Sequence, residues 1–283
     1  MIWTFLNDKF IPKEEVRVSP FNRGFLFGDG VYEVIPAYNS IPFLFEDHLL
    51  RLERSLLETN IKKPHYWDQL NSLIPELIEK NQFPNQSIYI QITRGEDEFR
   101  SHIPSSDLKS TMFISSNELL INPYRLNPNL QGLRVELAED PRWKRSDIKA
   151  TTLLSNVMAL DGAKDEGSDE VIFFLEGHVT EAAASNVFAV FDSQVITTPE
   201  SNKILSGITR KHVLSLLELK NINCVQENIS VKDLLRADEI WLTSSTKEIQ
   251  PVHMIDKSAL KKISPEDAIW NQLLSSYLDK LEV

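Results

Sequence analysis

Cysteine is nearly absent: Cys224 is the only one in 283 residues. A lone thiol excludes an internal disulfide framework and is compatible with a reducing compartment. Basic charge is in deficit, with 30 Lys and Arg against 41 Asp and Glu, a net charge of −11. Such a surface repels polyanions, which argues against a nucleic-acid partner and against an anionic membrane. No apolar run approaches the ~18 residues a membrane helix needs, and no cationic-then-apolar leader opens the chain. Low-complexity tracts are missing, as are repeats with a period of about 20–50 residues. The expectation from these absences is a soluble, cytoplasmic protein. What is plentiful is apolar content, 42% of residues, in a length that suits one large or two ordinary domains.

Local patterns divide the chain. Residues 1–10 read as one strand. Gly24, Gly28 and Gly30 permit tight turns ahead of the strand VYEVIPAY, and Asn39-Ser40 turns the chain into IPFLF as a hairpin. HLLRLERSLLETN has the period of a helix with Leu49, Leu52, Leu56 and Leu57 on one face, and a second helix covers 66–81. SIYIQITRG and STMFISSNE are strands flanking the polar loop EDEFRSHIPSSD. Residues 1–118 therefore form an α+β domain with an antiparallel sheet. ELLINPYRLNPNL carries two prolines and three asparagines with little periodicity, which places a linker at 119–130. A larger domain follows over 131–283. Its expected strands are 133–138, 170–175, 178–182, 186–191, 194–198, 222–228 and 239–245. Its helices are 151–165, 208–219, 231–236 and 265–280.

The chemistry centres on DIKATTLLSN and its Lys149. Arg142, Trp143, Lys144 and Arg145 precede this lysine in an otherwise acidic protein. Nearby cations would depress the amine pKa and keep part of it neutral and nucleophilic. Glu181 lies in the strand-like HVTEAAASNVFAVF, where small neighbours would let backbone approach a flat ring. LSGITR offers Gly207 and the N–H groups of Ile208 and Thr209 at a helix start, a place suited to anions. TSST at 243–246 adds hydroxyls, and Arg51 a bidentate cation. A reactive lysine, a carboxylate and a phosphate turn together meet the needs of pyridoxal 5'-phosphate. Each residue also has an ordinary alternative. Lys149, Glu181 and Arg51 suit a solvated surface, and GITR suits a plain helix cap.

RGFLFGDGVYE, HLLRL, DIKATTLLSN, VTEAAASNVF, GITR and LTSSTKEIQPV occur in an order that resembles the fold-type IV pyridoxal-phosphate enzymes. The resemblance spans nearly the whole chain. It implies an α+β fold with a small N-terminal domain, a larger C-terminal pseudobarrel domain, cofactor between them, and a homodimer. It further implies that Lys149 is the Schiff-base lysine and Glu181 the partner of the pyridine nitrogen. Arg51, Ile208, Thr209 and Ser245 match phosphate positions, Leu205 packs on the ring, and Ser185 lies beside it. Within the family the chain is most similar to D-amino-acid aminotransferases. There Tyr32 of one subunit, with Arg100 and His102 from the other, would hold a substrate carboxylate. The implied reaction exchanges an amino group between D-alanine or D-glutamate and a 2-oxo acid. Alternatives are a branched-chain L-amino-acid aminotransferase, an aminodeoxychorismate lyase, and a non-catalytic dimeric binding protein. Ala183 and Ala184 depart from the serines usual in the D-enzymes.

Overall fold

The computed structural model describes residues 1–281. Contacts gather the chain into two compact units, one of Met1–Leu120 with Ile148–Leu153, the other of Ile121–Asp147 with the chain from Leu154 onward. The expected division put everything from 131 onward in one domain. The segment Ile148–Leu153, which carries Lys149, instead packs with the first unit.

In that unit a six-stranded sheet runs in the order β2-β1-β6-β5-β3-β4. Its strands are β1 (Trp3–Leu6), β2 (Lys9–Pro12), β3 (Gly30–Tyr38), β4 (Ile41–Pro42), β5 (Asn85–Thr93) and β6 (Thr111–Glu118). The helices are α1 (Arg23–Phe27), α2 (Phe45–Glu58) and α3 (Leu70–Asn81). The long antiparallel pair β3–β5, from Gly30↔Thr93 to Tyr38↔Asn85, sets the register. Alternation turns Ile88, Ile90 and Ile92 to one face, where they join Leu52, Leu56, Ile74 and Leu77 from the two long helices. Each such side chain contributes about 1.5–3 kcal/mol by leaving water. Asn39 and Ser40 both adopt positive φ, 49° and 66°, as a tight hairpin turn demands.

Three local expectations change. The strand over 1–10 is a hairpin, broken at Asn7 with φ 58°. IPFLF pairs only through Ile41–Pro42 before the chain enters α2. Leu57 is exposed, and the buried face of α2 carries His48, Arg51 and Ser55 beside Leu52 and Leu56. Polar residues on the inner face of a helix require partners: Ser55 donates to the Arg51 carbonyl at 3.0 Å, and those of His48 and Arg51 are described below.

The second unit is built on a nine-stranded sheet, order β12-β11-β10-β13-β14-β7-β8-β9, with β15 on β14. The strands are β7 (Leu133–Glu139), β8 (Glu170–Leu175), β9 (His178–Ala182), β10 (Asn186–Phe191), β11 (Gln194–Thr197), β12 (Cys224–Gln226), β13 (Glu239–Ser244), β14 (Glu248–Ile255) and β15 (Ser258–Ala259). Its helices are α4 (Pro123–Leu126), α5 (Leu154–Asp165), α6 (Ile208–Leu219), α7 (Val231–Leu234) and α8 (Ile269–Ser275). β9 passes straight into β10 and touches it, so the end of the sheet curls back toward its middle. This is the pseudobarrel, and with the smaller unit it makes the α+β fold of type IV. The chain forms a short helix within the expected linker, α4, capped by Asn122. The final helix is shorter than expected, Ile269–Ser275. Strand β14 was not expected at all, yet it joins β13 to β7. Pro251 hides it, since proline lacks the N–H a central strand uses. The ladder tolerates it beside a register shift between Val252 and Met254.

Candidate active site

Lys149 sits in an extended piece laid along β3, short of the helix start at Leu154. The Tyr32 amide donates to the Lys149 carbonyl at 3.0 Å, Val31 bridges Ala150, and the Thr151 amide donates to the Gly30 carbonyl at 3.0 Å. Ile148 anchors this piece in the core of the first unit. The Lys149 side chain is left half-buried, with Nζ 4.4 Å from the centre of the Tyr32 ring. An ammonium over an aromatic face is an attractive contact that fixes where the amine points. Tyr32 in turn leans on Tyr89 at 5.7 Å. Burial, with Tyr32 adding to it, pushes the Tyr89 phenol up to about 12, so it stays protonated and donates to Gln91 Oε1 at 2.7 Å.

Next to Tyr32 on the strand, Glu33 is fully buried. Arg51 Nε and Nη2 donate to its two oxygens at 2.6 and 2.9 Å, and His48 Nδ1 lies 2.7 Å from Oε2. Burial alone would raise the Glu33 pKa, but the charges of Arg51 and His48 and their hydrogen bonds hold it well below the usual carboxylate range. An ionised carboxylate only accepts, so Nδ1 of His48 carries the proton. Burial lowers the His48 pKa despite Glu33, helped by Arg51 and Lys149. Arg51, expected at the cofactor phosphate, is thus no surface arginine. It is 7% exposed, and a bidentate pair fixes its guanidinium plane.

Arg100 and His102 lie on the exposed loop between β5 and β6, and Phe27 organises them. The Arg100 guanidinium is 5.0 Å from the Phe27 centroid and the His102 ring 5.4 Å from it. They share a platform with each other, while Tyr32 takes Tyr89 and Lys149.

In the second unit Glu181 projects from β9 and is buried. Arg142 Nη1 donates to one oxygen, Asn186 Nδ2 donates to the other at 2.9 Å, and the Leu205 amide reaches both at 3.1 Å. Arg142 also forks onto Asp140, with Nη2 at 2.7 Å and Nε at 2.9 Å. Burial opposes its charge, but the bond to Asp140 and the charge of Glu181 outweigh that and raise its pKa. Two of the cations expected to act on Lys149 are therefore matched by acids, Arg142 by Asp140 and Glu181, and Arg145 by Asp147 at 3.0 Å. Asn186 Nδ2 also donates to the Leu205 carbonyl at 3.0 Å, which ties the Glu181 strand to the LSGITR turn. Ser185 is buried in the loop after β9, and its carbonyl accepts from the Ala182 amide at 2.7 Å. Asn156 of α5 steadies the same loop by donating to the Ala183 carbonyl at 2.7 Å. Backbone and asparagine contacts hold this loop without serines at 183 and 184.

Gly207 is the N-cap of α6 and brings no capping side chain of its own. The first amides of a helix have no partner within it, and such a start suits an anion. Thr209 is buried with its hydroxyl 3.3 Å from that of Tyr277. α6 packs on β13, the strand leading into the turn that holds Ser245. A Cβ on Gly207 would fall 1.9 Å from Asn186 Oδ1. Asn186 is bound to Glu181 and Leu205 and cannot swing away without breaking both contacts. Gly207→Ala is therefore expected to cost about 1–3 kcal/mol, the usual penalty of overpacking. The thermal unfolding midpoint checks this, and an unchanged midpoint would show that the turn has slack.

The residues present suit pyridoxal phosphate in chemical kind. A buried carboxylate that meets oriented donors matches a protonated ring nitrogen, a helix start opened by glycine matches a phosphate, and an oriented primary amine matches an aldehyde. Residues 30–255 match the family described as amino-transferase class IV. The chain belongs to the class IV aminotransferases. Its relatives include the D-alanine aminotransferase of Bacillus licheniformis, 35% identical over 277 residues, covering 95% of this chain and 96% of that one. Another is the D-alanine aminotransferase of Staphylococcus haemolyticus, 36% identical over 258 residues and 90% of each chain. Among solved structures, the branched-chain aminotransferase of the thermophilic archaeon Thermoproteus uzoniensis, with norvaline, superposes with a TM-score of 0.86. It is 25% identical, over 98% of this chain and 93% of the other. The Escherichia coli branched-chain enzyme gives a TM-score of 0.87 at 21% identity over 98% and 93%. These structures share the fold. Members of this class are pyridoxal-phosphate-dependent aminotransferases, and this chain is one of them.

Four participants went unread in the sequence: Glu33, His48, Arg142 as the partner of Glu181, and Asn186. His48 and Arg51 are three apart on a helix, which is a same-face spacing. That spacing was the available signal for the buried pair.

Proposed function

We propose that the protein transfers the amino group of a D-amino acid to a 2-oxo acid, with D-alanine and 2-oxoglutarate giving pyruvate and D-glutamate. Pyridoxal phosphate would supply an electron-poor ring that stabilises negative charge at the substrate α-carbon. Lys149 would bind the cofactor through Nζ and then take a proton from the α-carbon and return it in the second half of the cycle. Glu181 would keep a proton on the ring nitrogen, while Leu205 and Ser185 pack beside the ring. Arg51, Ile208, Thr209 and Ser245 would hold the phosphate. Tyr32, Arg100 and His102 would bind the substrate carboxylate, the fork of Arg100 supplying two donors. The observation that carries the reading is Glu181: a buried carboxylate on β9, with both oxygens engaged by oriented donors, is a prepared counter-charge. The D-alanine aminotransferase relatives, similar over nine-tenths of the chain or more, favour the D series.

We further propose a cytoplasmic homodimer. Large apolar side chains stand exposed in the first unit at Phe25, Phe99 and Ile103. In the second unit Leu154, Val157 and Met158 of α5 do the same. Clusters of this kind mark association surfaces. Among the described residues no helix is long and apolar enough to cross a membrane.

The holoenzyme incubated with D-alanine and 2-oxoglutarate should yield pyruvate and D-glutamate in equal amounts. Cofactor-loaded protein that forms neither would overturn the assignment. Arg51 gives a separate check. Alanine there would strip buried Glu33 of its arginine, a cost of about 3–5 kcal/mol, so lysine is the better replacement. Arg51→Lys keeps charge but loses the planar fork, and it should raise the cofactor dissociation constant about tenfold. Equilibrium dialysis giving wild-type affinity would remove Arg51 from the phosphate site.

A further inference from the structure

Arg23, in α1, is 3% exposed although it lies beside an exposed loop. A buried guanidinium needs a full set of partners, and all but one of those below belong to the loop that carries Arg100 and His102. Nη1 donates to the Ser101 carbonyl at 2.7 Å and approaches Asp97 Oδ2 at 3.5 Å, and Nη2 donates to the His102 carbonyl at 3.2 Å. Nε donates to Asp29 Oδ2 at 2.8 Å. Asp29 is itself gripped by Arg94, at 2.8 and 3.0 Å, so the whole assembly is braced against β5. Burial would raise the Asp29 carboxyl, but its bonds to Arg94 and Arg23 outweigh that and keep it ionised. Asp97 folds the loop around this centre, accepting from the Glu98 amide at 3.0 Å and from the Ser105 hydroxyl at 2.7 Å.

Phe27 completes the arrangement. The Arg23 guanidinium lies 4.8 Å from its centroid, and that of Arg100 lies 5.0 Å away, so one ring serves both cations. The His102 ring packs against it as well. A loop of exposed residues thus has two consecutive carbonyls and two functional side chains tied to one buried cation and one ring.

We propose that Arg23 is the positioning residue for recognition of the substrate carboxylate. It fixes the backbone under Arg100 and His102 and, through Phe27, the placement of both side chains, so the pair is set before substrate arrives. Preorganisation of this kind raises affinity without adding contacts to the ligand. The inference rests on the reading of Arg100 and His102 as the carboxylate site.

The test compares Arg100→Ala, Arg23→Lys and Phe27→Leu as holoenzymes turning over D-alanine. Arg23→Lys keeps the charge but cannot serve Asp29 and two carbonyls from one plane. Phe27→Leu keeps apolar bulk and removes the ring face. The KM for D-alanine should rise roughly tenfold in Arg100→Ala. It should rise about fivefold in the other two, with kcat and the cofactor absorbance within about twofold of wild type. A role confined to holding the fold would lower the thermal midpoint and leave KM alone, and that result overturns the proposal. A raised KM in Arg100→Ala alone also overturns it while the carboxylate reading stands. An unchanged KM in Arg100→Ala removes that reading and the proposal with it. If Arg23→Lys does not accumulate as folded holoenzyme, the KM of Phe27→Leu decides by the same criterion.

Discussion

Lys149→Ala is expected to lower turnover by several orders of magnitude, on the order of 10⁴. In the proposed reaction two tasks are lost together, since the amine would both bind the cofactor and carry the substrate proton. The fold should survive. Ile148 anchors the segment, the Lys149 carbonyl still accepts from Tyr32, and the lost side chain is only half-buried. Such substitutions usually stay within about 0.5 kcal/mol of wild type. The variant should therefore melt like wild type, show none of the yellow absorbance of lysine-bound cofactor, and turn over at the limit of detection. Near-normal turnover would exclude Lys149 from the chemistry.

Glu181→Gln is expected to cost roughly a hundredfold in turnover, close to 3 kcal/mol of barrier. Its shape is retained, but the negative charge that would hold a proton on the ring nitrogen is gone. The local consequences are specific. Arg142, Asn186 and the Leu205 amide all point donors at this position, and a glutamine offers one oxygen in place of two. Arg142 keeps Asp140, so the site should persist and still bind cofactor. Steady-state turnover of the cofactor-loaded variant is the measurement. Wild-type rates would place Glu181 outside the reaction.

Much of this was legible in the chain because local signals agreed with the global fold. Short continuous apolar runs such as EVIFFL and NVFAVF, rich in β-branched and aromatic residues and bounded by turns, fit strands that bury both faces. LSGITR combines a glycine with a helix start, and β9, β10 and α6 fell where those patterns ended. What stayed hidden has physical reasons. β14 contains Pro251 and mixed polar residues, so its central place depends on partners distant in sequence. The Asn7-Asp8 turn was obscured by apolar residues on both sides. Glu33 and His48 looked like charge on a strand and a helix. Only tertiary pairing turns them into a buried network with Arg51. Likewise Arg142 seemed positioned to act on Lys149, whereas its nearest acids, Asp140 and Glu181, claim it. Arg23 stands in the quoted RGFLFGDGVYE motif, but nothing local reveals that it reaches Ser101 and His102.

Handedness is the most discriminating property of the proposed reaction. A site that meets a carboxylate with Tyr32, Arg100 and His102 leaves an aliphatic side chain badly placed against unpaired donors. Steady-state rates of the holoenzyme with D-alanine, D-glutamate, their L forms and L-leucine, each with a matching 2-oxo acid, read this directly. The expected result is a kcat/KM for D-alanine or D-glutamate at least roughly a hundredfold above that for any L substrate. Strong turnover of L-leucine with none of D-alanine would contradict it and place the protein with the branched-chain enzymes.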